Sequence, residues 1–455
     1  MALRRIPGTD RQYHLIAYDK RGEELRDPDG TIASEEAIAA LTAPGTNITD
    51  VFVISHGWQG DYVDAISQYD RWLGAADPDT AGDGIRPFVI GVHWPSKAWS
   101  DRTIKSAPSG LLGDDDGDAV DDADDPDAVT VSEAVDEYAA LLGDAPETRA
   151  ALRRVLEYAA DVDPEREASD RDRLPSRVAK AYRTIAEQVG ADGDESLLGA
   201  GWDPREVFAE AAKEEPGDDG LLGGGWFRKL RDAILTPLRQ LTFWHAKNQA
   251  REFGESGAAQ LVRAIMAATP ARVHLLGHSF GTIVMAGAVR GPGSSPEPPP
   301  RPVDSLFLVQ GAVSLWAFSP EVPDAVGGGR GYLADVATPA FVAGPIVATR
   351  SKWDYAVGRL YPLAVGVAGE YLLGEDLPKF GGIGTWGIQG VAGTVELPAL
   401  ERGEIAEVDF APATVYNIDA QDVIAKLAGL AGAHNDLAHR ELVMLAWRAA
   451  LSRAH

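Results

Sequence analysis

The stretch RVHLLGHSFGTIVMAGAVR, residues 272–290, decides the fold. An apolar run ends in Gly277-His278-Ser279-Phe280-Gly281 and passes directly into small and apolar residues at helical spacing. Gly-x-Ser-x-Gly between a strand and a helix reverses the chain sharply and leaves the serine in a strained backbone, projecting from the sheet. Residues two before and two after such a serine crowd together, so Gly277 and Gly281 are the sizes that fit. Ala286, Gly287 and Ala288 suit a helix that passes close to the sheet. In a chain with 49 glycines the five-residue pattern alone is weak, so the flanking strand and helix carry the reading. A serine hydroxyl is a poor nucleophile until a histidine takes its proton and a carboxylate holds that histidine. The rest of the chain must supply both.

Working outward, short apolar runs recur at the spacing of an α/β fold. QYHLIAYD (12–19) alternates like an edge strand, while DVFVISHGW (50–58) and RPFVIGVHW (86–94) are continuous, as in central strands covered on both faces. DSLFLVQGA (304–312), GPIVATRS (344–351) and ATVYNID (413–419) are of the same type. Helical patterns lie between them at 62–73, 250–268, 281–290 and 436–452. This alternation predicts a mostly parallel sheet wrapped by helices. No convincing strand interrupts 106–244, where an acidic run (113–128) precedes charged helical segments. The expected organisation is a first core segment at 1–105, an acidic and mainly helical insertion at 106–245, and a second core segment at 246–455. A Gly-rich excursion at 355–404 belongs to that last segment and reads equally as a pocket lining or as core packing.

The composition narrows the function classes. The chain has 455 residues, 45% of them hydrophobic, and a formal charge of −27. That surface repels nucleic acid and anionic membranes, since phosphate binding needs clustered cations. No run of about 18 uncharged apolar residues marks a membrane span, and MALRRIPGTDRQYH carries no apolar stretch of a secretory signal. Cysteine is absent, which removes disulfides, thiolate metal sites and a cysteine nucleophile. A cytoplasmic location is the expectation. The acidic run reads as a solvated loop, lacking the full ligand spacing of a calcium loop.

Three features are required alongside Ser279. A second amide must join that of Phe280 to hold a developing oxyanion, and FVISHGWQG offers Trp58 first and Gln59 behind it. His56, Gly57, Gln59 and His278 are the expected substrate contacts around these amides. A carboxylate must follow the serine at the end of a strand; Asp354 has that position, Asp419 is the alternative, and Asp304 lies at the wrong end of its strand. A histidine must come last. Of nine histidines only His434, His439 and the terminal His455 follow Asp354. His434 falls in a loop before the final helix, with Asn435 or Asp436 positioned to cap it, whereas His439 falls inside that helix. His274 reads as a core histidine. No pair at metal-ligand spacing emerges, and no cofactor or metal is expected.

On Gly277-His278-Ser279-Phe280-Gly281, His56-Gly57-Trp58 and the order Ser279, Asp354, His434, the chain resembles the α/β-hydrolase superfamily, in particular its bacterial lipase- and esterase-like members. The resemblance covers about two-thirds of the chain and leaves out the long insertion. It implies an eight-stranded sheet, a Ser-Asp-His triad and carboxylic ester or lipid substrates cleaved through an acyl-enzyme. Thioesterases and peptidases use the same machinery, and a hydrolase-fold scaffold docking a protein partner through the acidic insertion is the rival from another class.

Overall fold

The continuous apolar runs form the middle of a parallel sheet, because only strands covered on both faces can be apolar at every position. In the computed structural model β3 (Asp50–Ser55), β4 (Pro87–His93), β5 (Arg272–His278), β6 (Ser305–Val309), β7 (Ile346–Arg350) and β9 (Val415–Asp419) hold these runs. With β1 (Leu3–Arg5), β2 (Gln12–Ala17) and β8 (Val395–Leu397) they make a nine-stranded sheet in the order β1-β2-β4-β3-β5-β6-β7-β9-β8. Every neighbouring pair is parallel except β1 with β2. Nine strands replace the eight that the resemblance implies. The run at 12–19 is no edge strand either, since Leu3–Arg5 pairs along its outer side.

The described residues are 3–58, 62–78, 84–96, 129–161, 173–189, 202–213, 224–293, 295–324, 328–360, 377, 381–428 and 431–452. Gln59, the acidic run 113–128 and the apolar part of the 355–404 excursion at 361–373 lie outside them. The chain divides into two units. One is Met1–Lys97 with Lys247–Pro362 and Glu370–His455, and the other is Ala98–Ala246 with Leu363–Gly369.

In the first unit, alternate residues of the strands face opposite layers. Phe52, Ile54, Phe307, Val309 and Ile418 join a cluster with Tyr69, Trp72 and Leu73 of the helix Tyr62–Ala75 and Leu442, Val443 and Trp447 of the helix Arg440–Leu451. Each such side chain contributes roughly 1.5–3 kcal/mol when fully buried. The intervening Val51, Val53, Leu306 and Leu308 are also buried and turn to the other layer. There the helix Gly281–Arg290 packs on β3, β5 and β6, and all of its residues are buried. Gly254 and Gly287 come together where another helical segment crosses this one, a Cβ on Gly287 lying 3.3 Å from Gly254 Cα. A Cβ on Gly254 would lie 2.7 Å from the Val284 carbonyl oxygen of that helix.

The second unit is helical. It contains Val131–Leu142, Pro146–Ala160, Ser176–Gln188 and Pro204–Lys213. Thr130 starts the first with a capping box: its side chain accepts from the Glu133 amide while the Glu133 carboxylate takes the Thr130 amide. Tyr138, Leu152, Leu156, Tyr182, Leu238 and Leu241 meet in its core. No helix among the described residues is long and apolar enough to cross a membrane.

Candidate active site

Parallel strands end on one side of the sheet, so the loops that follow β3, β5, β6 and β7 gather there. Register fixes which residues meet: Ser55 pairs with Gly277, and His278 with Val309. Ser279 leaves β5 at φ 55°, a left-handed conformation that costs a non-glycine residue about 1–2 kcal/mol. Its amide donates to the Val309 carbonyl at 3.1 Å and its carbonyl accepts from the Thr282 hydroxyl at 2.6 Å. The turn is tight enough to demand glycine on both sides. A Cβ on Gly277 would sit 2.2 Å from the Gly281 oxygen, and one on Gly281 would sit 2.4 Å from the Ser55 oxygen.

The Ser279 hydroxyl lies 2.8 Å from His434 Nε2, and His434 Nδ1 lies 2.8 Å from Asp354 Oδ2. A carboxylate only accepts, so Nδ1 carries the proton and Nε2 is left to accept from serine. All three side chains are buried: Ser279 is 2% exposed, Asp354 1% and His434 6%. The loop bearing His434 is joined to the strand end bearing Asp354, because the Ala433 amide donates to the Trp353 carbonyl at 2.7 Å. Asp354 also caps the short helical turn Ala356–Leu360, its Oδ1 accepting the Val357 amide at 2.9 Å. One carboxylate thus serves as a cap with one oxygen and holds the imidazole with the other.

Sequence reasoning missed Gln310. It directly follows β6 at φ 46°, is fully buried, and donates from Nε2 to Asp354 Oδ2 at 2.9 Å. Its own Oε1 accepts from the Thr349 hydroxyl at 3.0 Å. A glutamine directly after a strand gives no signal by itself; its left-handed backbone, visible only in the fold, is the clue.

On the other side of Ser279 lie Gly57, half-buried Trp58 and fully buried Phe280, with the Trp58 and Phe280 rings 5.8 Å apart. Phe280 begins the helix Gly281–Arg290, whose N-terminal amides carry partial positive charge. Gly57 must be glycine, since a Cβ there would come within 2.6 Å of Ser279 Cβ. His56, an expected substrate contact, is 0% exposed. Its Nδ1–H donates to the Gly57 carbonyl at 2.8 Å, and its Nε2 accepts from the Trp94 amide at 3.3 Å. Pinning the Gly57 carbonyl sets the plane of the next peptide and so the direction of the Trp58 N–H. Burial, with neighbouring His93 adding to it, lowers the pKa of His56 to about 3, so the ring stays neutral. His278 is likewise buried, and both of its ring nitrogens are bonded to protein, to Gln68 and to the His434 carbonyl.

The alternatives sit elsewhere. Asp419 ends β9 and accepts the Gln421 amide, 3.8 Å from Arg350. Asp304 and His274 belong to the opposite end of the sheet, where His274 bridges Asp50 at 2.9 Å and the Ser305 hydroxyl at 2.8 Å. The final helix starts at Arg440, so His439 flanks it and is not inside it. Asp436 does not cap that helix. Its carboxylate takes the Ala425 and Lys426 amides and meets His439 Nε2 at 2.8 Å. No cluster suited to a metal ion occurs among the described residues.

A hydroxyl, an imidazole and a carboxylate in this sequence can move a proton off the serine oxygen and stabilise the imidazolium that results. No family model, curated protein sequence or solved structure matches the chain.

Proposed function

We propose that the chain is a serine hydrolase of the α/β-hydrolase kind that cleaves carboxylic esters. The observation that carries this reading is the unbroken Ser279–His434–Asp354 hydrogen-bonded chain, 2.8 Å at each link, built on a serine at φ 55°. A merely structural serine has no need of that backbone strain. Ser279 Oγ attacks the acyl carbon while His434 Nε2 takes its proton, and the Trp58 and Phe280 amides receive the oxyanion. His434 then protonates the departing alkoxide, leaving an acyl-serine. Water attacks that ester with His434 again as base; the acid leaves and Ser279 regains its proton. Asp354, itself held by Gln310 and the Val357 amide, keeps Nδ1 protonated throughout.

A fluorophosphonate probe tests the reading, because it reacts with an activated serine whatever the natural substrate. Labelling confined to Ser279 and abolished in Ser279→Ala is the expected result; a folded protein that stays unlabelled refutes it. A panel of p-nitrophenyl esters of rising acyl length then reads the acyl preference.

A further inference from the structure

His278 belongs to the nucleophile turn, yet its ring reaches away from the serine to two other parts of the fold. Its Nε2 lies 3.0 Å from the carbonyl oxygen of His434, and its Nδ1 lies 2.8 Å from the side-chain nitrogen of Gln68 in the helix Tyr62–Ala75. A carbonyl only accepts, so Nε2 carries a proton. Nδ1 is then a lone pair, and the Gln68 amide donates to it. The two bonds agree only in the neutral Nε2–H tautomer. Burial, helped by the nearby His434, holds the pKa of His278 well below the usual range, consistent with a neutral ring. The third neighbour is the turn after β3: a Cβ on Gly57 would lie 2.8 Å from His278 Nδ1. One imidazole therefore touches the elements that carry the nucleophile, the base and the Trp58 amide.

We infer that His278, fixed by Gln68 as its Nε2–H tautomer, is a positioning residue that anchors the His434 carbonyl and so sets the reach of the His434 imidazole to Ser279. The inference rests on the hydrolase reading above for its catalytic consequence. The His434 loop keeps its other anchor, the Ala433 amide on Trp353, when this bond is lost. The loop then pivots and does not detach, so reactivity falls while the fold persists. With both ring nitrogens engaged, His278 has no lone pair to offer Ser279 and does not replace His434 as base.

Gln68 is half-buried and substitution there spares the nucleophile turn. In Gln68→Leu the maximal rate of fluorophosphonate attachment to Ser279 is expected to fall about 3- to 10-fold, the worth of one hydrogen bond, with the half-saturating probe concentration unchanged. His278→Leu is expected to lose about 100-fold, the scale of a misplaced catalytic group. His278→Gln, which keeps an N–H donor, is expected to recover part of that loss. Imidazole ¹⁵N spectra of the intact chain supply a reading independent of activity: a protonated Nε2 on His278, giving way to mixed tautomers in Gln68→Leu. An unchanged tautomer and an unchanged rate in Gln68→Leu would overturn the inference, as would equal losses in His278→Gln and His278→Leu. Wild-type protein that shows the protonated Nε2 of His278 but no labelling would sink the hydrolase reading and, with it, the catalytic meaning of the tether.

Discussion

Replacing His56 by asparagine should change how stability depends on pH, by an amount that follows from the structure. His56 is fully buried with a folded pKa of about 3, against an ordinary value of 6.5. The folded chain therefore refuses a proton that the unfolded chain accepts below pH 6.5. A depressed histidine pKa means that the stability attached to this group is present above the unfolded value and is lost as pH falls toward the folded one. At pH 7.5 the unfolded chain gains almost nothing from protonating this residue. At pH 5.0 it gains RT ln(1 + 10^1.5), about 2 kcal/mol, while the folded state gains essentially none. Any folded value below about 4 gives the same figure. The formal charge of −27 also changes on acidification, in both proteins alike, so it cancels in the comparison. Urea unfolding of wild type and His56→Asn, followed by tryptophan fluorescence at several pH values, measures the difference. The stability gap should shift by about 2 kcal/mol in favour of the variant between pH 7.5 and 5.0, on top of whatever constant offset the substitution brings. A gap that stays constant across that range would refute the buried, neutral His56 and the pinned Gly57 peptide that depends on it.

Gln310→Leu removes a donor from the carboxylate oxygen that also holds His434, and a hydrogen bond to a charged group contributes about 1.5–3 kcal/mol. Fluorophosphonate attachment should therefore slow about 10- to 100-fold, and an unchanged rate would remove Gln310 from the site. Ser279→Gly should be more stable than Ser279→Ala by about 1 kcal/mol, since both lack the hydroxyl and only glycine takes φ 55° without strain; paired thermal melts read this directly. Asp50→Ala strips the partner from Arg272, 2.7 Å away, and from His274, 2.9 Å away. It should cost about 3–5 kcal/mol in urea unfolding yet leave labelling of the folded protein intact, because Asp50 begins β3 and the serine follows the far end of the neighbouring strand.

The central strands were legible in the sequence because burial on both faces leaves a mostly apolar run, and six such runs reappear as β3, β4, β5, β6, β7 and β9. Leu3–Arg5 and Val395–Leu397 were not legible. Three residues are too few to show a period, and at a sheet edge one face stays wet, as the exposed Leu3 and Val395 show. The final helix was placed too early because Asp436 looked like a cap by its residue type. Its carboxylate went to the Ala425 and Lys426 amides, a contact between chain segments that no local pattern announces.

The residues of the candidate site divide along the same line. Ser279, Asp354 and His434 could be found because a strand–turn–helix pattern and the order of strand ends leave few positions for each. Gln310, Gln68 and the true surroundings of His278 could not, since each acts by a bond to a residue far away in sequence. Ser279 and Gln310 nevertheless share a physical mark. Both are non-glycine residues in left-handed backbone directly after adjacent parallel strands, β5 and β6. The cost of about 1–3 kcal/mol at each is sustained by neighbours that leave no room to relax: the Ser279 amide is held by Val309, and the Gln310 amide by the Thr349 hydroxyl. Two adjacent strand ends are thus bent the same way, one aiming a hydroxyl at His434 and the other an amide at the carboxylate behind it. A rigid sheet whose strands are buried on both faces is what allows two strained neighbours to hold those directions at once.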